Sequence, residues 1–270
     1  MISWNYITNI VRQHRLFLLF TFIFVGLFQV LILTFVVGAD LLGFVEQFLR
    51  QLPSRMQVLF GEQFMAQLSI NGAVAFGYNH PLVVAMLIIV AILLPARHIA
   101  GEIEAGSLEL LFAMPIKRYR IALSLWLVAG GMLLVAVAGG WTGTGCGLLL
   151  FPEARGAPIL RVIGVGLSLW LLVFTISSYT MLIASHSNEG GKSTLRAAGL
   201  TLVFYFMNVA AILWPRVDFL SHFTIFHYHQ PQQVMMGEPV LGKNAAVLGA
   251  LALVCAGLAI RQVSRRDVPG

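Results

Sequence analysis

Residues 16–39 read LFLLFTFIFVGLFQVLILTFVVGA, a run with no Asp, Glu, Lys or Arg, bounded by Arg15 and Asp40. A helix needs roughly 20 apolar residues to cross the hydrocarbon core of a bilayer, and a helix satisfies its own backbone there. The run therefore reads as a transmembrane span. It is too long for the apolar core of a cleaved leader, and no small-residue cleavage pattern follows it. Five more charge-free stretches follow, at 63–96, 121–152, 162–188, 197–215 and 244–260. The second is trimmed, because QFMAQLSINGAVAFGYNH is too polar and glycine-rich to face lipid, so its span is expected to begin near Pro81. The expectation is an all-α integral membrane protein: six transmembrane helices in one domain over residues 1–270.

Composition agrees, with 59% hydrophobic residues, 10% charged residues and a mean hydropathy of +0.87, well beyond an ordinary soluble domain. With the N-terminus inside, 11 of the 17 Lys and Arg fall in inner segments and 6 in outer ones. The positive-inside bias therefore places both termini in the cytoplasm. Outer acids balance the outer bases, so the net charge of +6 is a topology signal and needs no nucleic-acid partner. Cys146 and Cys255 both fall within spans, a poor setting for a disulfide or metal site.

The outer loop at 39–80 places Phe44, Phe48 and Leu52, then Met56, Leu59, Phe60 and Phe64, at helical spacing around Pro53, which reads as an interfacial amphipathic helix. A second outer segment, 214–243, is also amphipathic and aromatic. It holds His222, His227 and His229, and His-x-His on an extended strand would put His227 and His229 on one side, weak candidates for copper or zinc. No carboxylate or cysteine completes a ligand set, and aromatics with polar tips belong at a membrane surface anyway.

On the inner side, Gly191-Lys192-Ser193 imitates the end of a phosphate-binding loop. His186 stands where the first glycine is required, and a membrane helix precedes the loop instead of a strand. Gly190 and Gly191 read more simply as the end of one helix, with Ser193 or Thr194 starting the next. No aliphatic run ending in Asp supplies a second nucleotide motif, so the chain is not expected to hydrolyse nucleotide itself. Of the groups that mark ion paths and intramembrane hydrolases, the trimmed spans also lack Asp, Glu, Lys and Arg, and hold no His except His186 at one end. Their polar content is mild: Thr142 and Thr144, then Thr175, Ser177, Ser178, Tyr179 and Thr180, then Tyr205 and Asn208. These serve either helix-to-helix hydrogen bonds or a substrate route. Gly139, Gly143 and Gly147 mark a close-packing face, for an internal neighbour or for a second copy of the chain.

The inner segment 97–120 concentrates the remaining information in GEIEAGSLELLFAMPIKRYR, residues 101–120. Ile99 and Ile103 share a helical face, Gly106 is a natural stop, and Ser107 is a good cap for a new helix with Glu109 in its first turn. Pro115 ends that helix, and Lys117, Arg118 and Arg120 mark re-entry to the membrane. The pattern Gly101-Glu102-x-Glu104-x-Gly106-Ser107-Leu108-Glu109-Leu110-Leu111, then Pro115-Ile116-Lys117-Arg118, between spans two and three, closely resembles the permease subunits of ABC-2 type transporters.

The likeness extends over nearly the whole chain, and is greatest to smaller bacterial members similar to the permease of the nitrous oxide reductase maturation system. It implies a type V exporter-like fold in the bacterial inner membrane. It also makes 101–115 a coupling region that docks on a separate ATPase subunit, through Glu102, Glu104, Gly106, Ser107, Leu108, Glu109, Leu110, Leu111 and Pro115. Residues 1–15 would form an interfacial connecting helix. Two copies of the chain with two ATPases would make the working unit, and ATP and magnesium would bind in the partner, leaving no cofactor here. Weakly polar spans favour an apolar or amphipathic cargo. The alternative is a membrane scaffold that recruits an ATPase for assembly of an extracytoplasmic enzyme, and a stand-alone channel or carrier is a third reading.

Overall fold

The computed structural model describes residues 4–38, 47, 69–106, 117–152 and 156–266. Eight helices organise it: α1 (Trp4–Leu33), α2 (Ile70–Asn79), α3 (Pro81–Ala96), α4 (Arg118–Leu150), α5 (Ile159–Ser185), α6 (Gly190–Leu213), α7 (Pro231–Met236) and α8 (Leu241–Arg265). Among the described residues there is no strand. Six segments are long and apolar enough to cross a membrane: Ile7–Val37, Ile70–Glu104, Arg118–Leu150, Ile159–Ser185, Gly190–Leu213 and Leu241–Arg265. The outside of the bundle is correspondingly oily. Leu16, Phe20, Leu27 and Leu31 line the outward side of α1, and Phe35 the turn just after it, with more than half their area exposed, a surface that only lipid or another protein would tolerate.

α5 is the centre, packed against α2, α3, α4, α6, α7 and α8. Its buried hydroxyls turn back on its own carbonyls: Thr175 donates to Leu171 O at 2.8 Å, Ser178 to Phe174 O at 2.8 Å and Thr180 to Ile176 O at 2.7 Å. A hydroxyl that closes such a bond can be buried without an unmet donor. Thr175 also reaches Leu248 O of α8 at 3.1 Å, and Ser178 accepts from Trp126 Nε1 of α4 at 2.9 Å. These two sequence candidates are therefore fasteners between helices.

The glycine face of α4 is also internal. A Cβ on Gly139 would collide with Phe22 O of α1, one on Gly143 with Gly26 O, and one on Gly147 with Leu33. α1 and α4 run parallel in backbone contact along this seam, and Thr142 closes its own bond to Gly139 O at 2.8 Å. α1 occupies the face that a second copy was considered to share.

Other expectations shift as well. Residues 4–15 are the first turns of α1 with no break before the span, so the connecting segment is continuous with it. Of the outer region 39–80, the amphipathic positions Phe44 to Phe64 lie outside the described residues. Ile70–Asn79 is a helix of the bundle, with Val74, Ala75 and Tyr78 at 0% exposure. Its polarity keeps it from lipid, but small residues suit it to the protein interior, a distinction hydropathy cannot draw. Pro81 marks a break between α2 and α3, where His80 caps α3 by accepting from Leu82 N at 3.3 Å. Gly190 and Gly191 open α6, whereas α5 ends at Ser185.

Candidate functional site

Two places in the bundle stand out, and α6 borders both. The first is the end of α3 and the turns that follow it. Pro95 sits inside α3 without an N–H to donate, and the chain responds by widening into a π-type turn at Arg97–Gly101 followed by one α-turn at Glu102–Glu104. Ile99 and Ala100 bury against Leu94, Ala122 and Leu125. Gly106 then turns with φ +69°, a conformation costly for any residue with a Cβ. The stop read from sequence is therefore a left-handed glycine. Ser107, Leu108, Glu109, Leu110, Leu111 and Pro115 lie outside the described residues.

Both acids before the turn have partners inside the chain. Glu102 Oε1 lies 3.7 Å from His98 Nδ1, and His98 Nε2 meets His14 Nε2 of α1 at 3.0 Å. Glu104 Oε2 accepts from Gly190 N at 2.9 Å. A carboxylate at a helix N-terminus meets both an orphan N–H and the positive end of the dipole. Gly190 lies so close to Gly101 that a Cβ there would stand 3.2 Å from Gly101 Cα. Glu104, one of the residues assigned to the coupling region, also holds the start of α6.

The loop's exit is held to the same neighbourhood. Arg118 Nη1 donates to Arg266 O at 2.6 Å, and Arg266 donates to Ser185 O at 2.8 Å, to Ser187 O at 3.1 Å and to Asn188 Oδ1. In sequence Arg266 was only part of a basic tail. Its partners lie about eighty positions away, and no local pattern announces such a bond.

The second place is a cleft of about 1010 Å³ between α3 and α6, floored by Leu172 of α5. Val84, Ile88 and Ile92 give it an apolar wall, while Thr194, Thr201, Tyr205 and Asn208 line the α6 side. Tyr205 packs edge-on against Phe226 at 5.6 Å between ring centroids. Thr201 donates to Ala197 O at 2.7 Å and also meets the Tyr179 hydroxyl. Tyr205 and Asn208 are therefore brought together in the cleft, and Thr142, Thr144, Thr175 and Ser178 are not among its lining.

One end of the cleft is lined by residues of 214–243, folded as short 3-10 stretches at Pro215–Phe223 and Ile225–Tyr228 and then α7. The segment sits in the bundle rather than on it, with Thr224, Ile225 and Met235 buried. Thr224 Oγ1 donates to Phe204 O at 2.8 Å, and Arg161 Nη1 to Met235 O at 3.0 Å. No extended strand aligns His227 with His229. His227 packs against His222, 5.2 Å between ring centroids, and burial with that neighbour lowers its pKa. His229 turns inward, its Nδ1 3.0 Å from Ser168 Oγ of α5, and burial pushes its pKa down to about 4. Among the described residues no group of three or more His, Cys, Asp or Glu is placed to hold a metal ion.

Six segments long and apolar enough to cross a membrane, packed around α5 with a cleft between α3 and α6, make this a multi-pass membrane protein. The family model for ABC-2 family transporter proteins matches residues 1–268, and the chain belongs to that family. It is thus the membrane component of an ATP-driven transporter, and the family implies an ABC ATPase as its partner. No curated protein matches the chain.

Proposed function

We propose that the chain is half of a homodimeric exporter in a bacterial inner membrane, with N- and C-termini in the cytoplasm. In this reading the 101–115 region docks on the ATPase, and the α3/α6 cleft carries an apolar or amphipathic substrate. One observation supports it above the others: Glu104, at the mouth of the docking loop, bonds to the first residue of α6, and α6 is a wall of the cleft. A displacement of the loop is thereby delivered to the element that bounds the substrate space. ATP binding moves a membrane equilibrium only through contacts that differ between two ATPase states. An apolar stripe of Leu108, Leu111 and Phe112 would supply them.

The cleft's chemistry matches the cargo. Its apolar wall suits a hydrocarbon body, while Asn208, which makes no hydrogen bond among the described residues, and the outer polar group of Asp218, His227 and Gln230 suit a polar end. The test is the chain reconstituted in vesicles with its ATPase. Leu111→Asp should leave insertion intact and abolish the ATPase stimulation that the permease gives, and Tyr205→Ala with Asn208→Leu should blunt stimulation by amphiphiles. Full stimulation in Leu111→Asp would overturn the docking reading. Stimulation by amphiphiles unchanged in the cleft variants would place the route elsewhere, and ATP turnover that no amphiphile affects would favour the scaffold.

A further inference from the structure

The cleft between α3 and α6 has a sign as well as a size. Among the described residues that line it, Asp218 alone carries a formal charge. Asp218 forms no hydrogen bond and no ion pair among the described residues, and the titratable group it acts on is His227. Burial lowers the pKa of His227 and takes that of His229 to about 4, so neither imidazole brings a positive charge at neutral pH. Lys192 and Arg196 flank Thr194 on α6, yet neither is in the lining.

The helix ends do not reverse this sign. The last turn of α6, whose Ala211 and Ile212 line the cleft, has no basic residue to offset the negative end of the helix. The start of α3 opposes it with a positive end, but that end is largely capped. Pro81 has no N–H, Leu82 N donates to His80 Nδ1 at 3.3 Å, and Val84 N donates to His80 O at 3.0 Å. The two poles are of opposite sign and about half a charge each, which leaves Asp218 to decide.

The rest of the same end suits a cation. Tyr205 and Phe226 stand edge to face, 5.6 Å between ring centroids, and aromatic faces attract cations. Asn208 adds an amide oxygen as acceptor. From Asn208 back to Thr194 the lined stretch of α6 is about 21 Å long at 1.5 Å per residue, faced by the apolar wall of α3. The volume, about 1010 Å³, is that of a pocket for one drug-sized molecule.

We propose that this cleft takes lipophilic monocations, a single ammonium- or phosphonium-type charge on a bulky apolar body, with Asp218 as the counter-charge at its exposed end. The inference rests on the reading of the cleft as the substrate space, and adds the sign which that reading leaves open. Amphiphiles with an anionic head are disfavoured, because a carboxylate faces them and no basic side chain of the lining does.

Tetraphenylphosphonium and tetraphenylborate test this, since the two ions share shape and apolar surface and differ in charge. Equilibrium binding of each is measured to the full chain in phosphatidylcholine nanodiscs, with empty discs subtracted. Tetraphenylphosphonium is expected to bind saturably, and tetraphenylborate not to compete with it. Asp218→Asn should weaken phosphonium binding about fivefold, the upper range for one exposed ion pair, and Asp218→Lys should turn the preference toward the borate. Ala85→Trp, which adds bulk at an exposed position of the cleft wall, should weaken phosphonium binding at least about tenfold. Equal binding of the two ions, lost in Ala85→Trp but indifferent to Asp218, would overturn the charge assignment and leave the cleft reading in place. Phosphonium binding that survives Ala85→Trp unchanged would overturn the cleft reading and the proposal with it. Absence of saturable phosphonium binding would overturn the proposal alone.

Discussion

Gly143→Ala measures the α1–α4 seam. The new Cβ would collide with Gly26 O and stand 2.7 Å from Gly26 Cα, where ordinary contact between such atoms is nearer 3.4–4 Å. Backbone has no rotamer to yield, so the helices must part by roughly an ångström. Overpacking of this kind costs about 1–3 kcal/mol, and a backbone obstacle puts it near the upper end. Replacing glycine inside a helix returns about 1 kcal/mol of propensity. The net expectation is a loss of about 2 kcal/mol in a reversible unfolding titration followed by tryptophan fluorescence. Gly131→Ala and Gly145→Ala serve as controls on the same helix, because nothing lies within 4 Å of either added Cβ. Both should hold or gain up to about 1 kcal/mol. Gly143→Ala as stable as the controls would refute the reasoning, since the seam would then have slack that its backbone contact denies.

Three further outcomes are expected. Glu104→Ala should change unfolding stability by less than about 1 kcal/mol, the scale of one exposed carboxylate at a helix N-terminus. It should nonetheless lower ATPase stimulation in the reconstituted complex, and stimulation at the wild-type level would refute the link to α6. His229 is held neutral by burial, with a folded pKa of about 4 against 6.5 unfolded, so the unfolded chain binds more protons between these values. Its contribution is fully present above about pH 6.5 and lost as pH falls toward 4, about 3 kcal/mol in all. His229→Gln should flatten that part of the stability profile, and an unchanged slope would refute it. Finally, a membrane-permeant maleimide should label Cys146, which is exposed, well before Cys255, which is buried, and equal rates in the folded protein would contradict the packing of α8.

The span count was legible because charge is so costly in lipid that six charge-free stretches suffice to find the helices. The stop at Gly106 was legible because only glycine takes that turn cheaply. α2 was not: Gly72, Ala73, Ala75 and Gly77 look too polar for lipid, and the scale that rejects them cannot tell lipid from the inside of a bundle. His229 and Arg266 were not either, because Ser168 and Ser185 lie 61 and 81 positions away and periodicity reports only near neighbours. The spacing of Gly139, Gly143 and Gly147 announced a close partner without naming it, and α1 proved to be that partner.

α6 is the least covered of the crossing helices, with only Ser193, Ala197, Thr201 and Ala211 buried. Its charge-free part, residues 197–213, extends about 26 Å at 1.5 Å per residue, against a hydrocarbon core of roughly 30 Å. With so little packing along its length, its inclination is set by its two anchored ends and by the acyl chains around it. It has least length to spare in a thick membrane, where the flanking Lys192 and Arg196 must reach for the head groups. In a thicker membrane the helix stands more upright, and in a thinner one it leans further, carrying Tyr205 and Asn208 with it. Bilayer thickness therefore acts on the width of the cleft, and lipid chain length becomes a variable of transport in its own right.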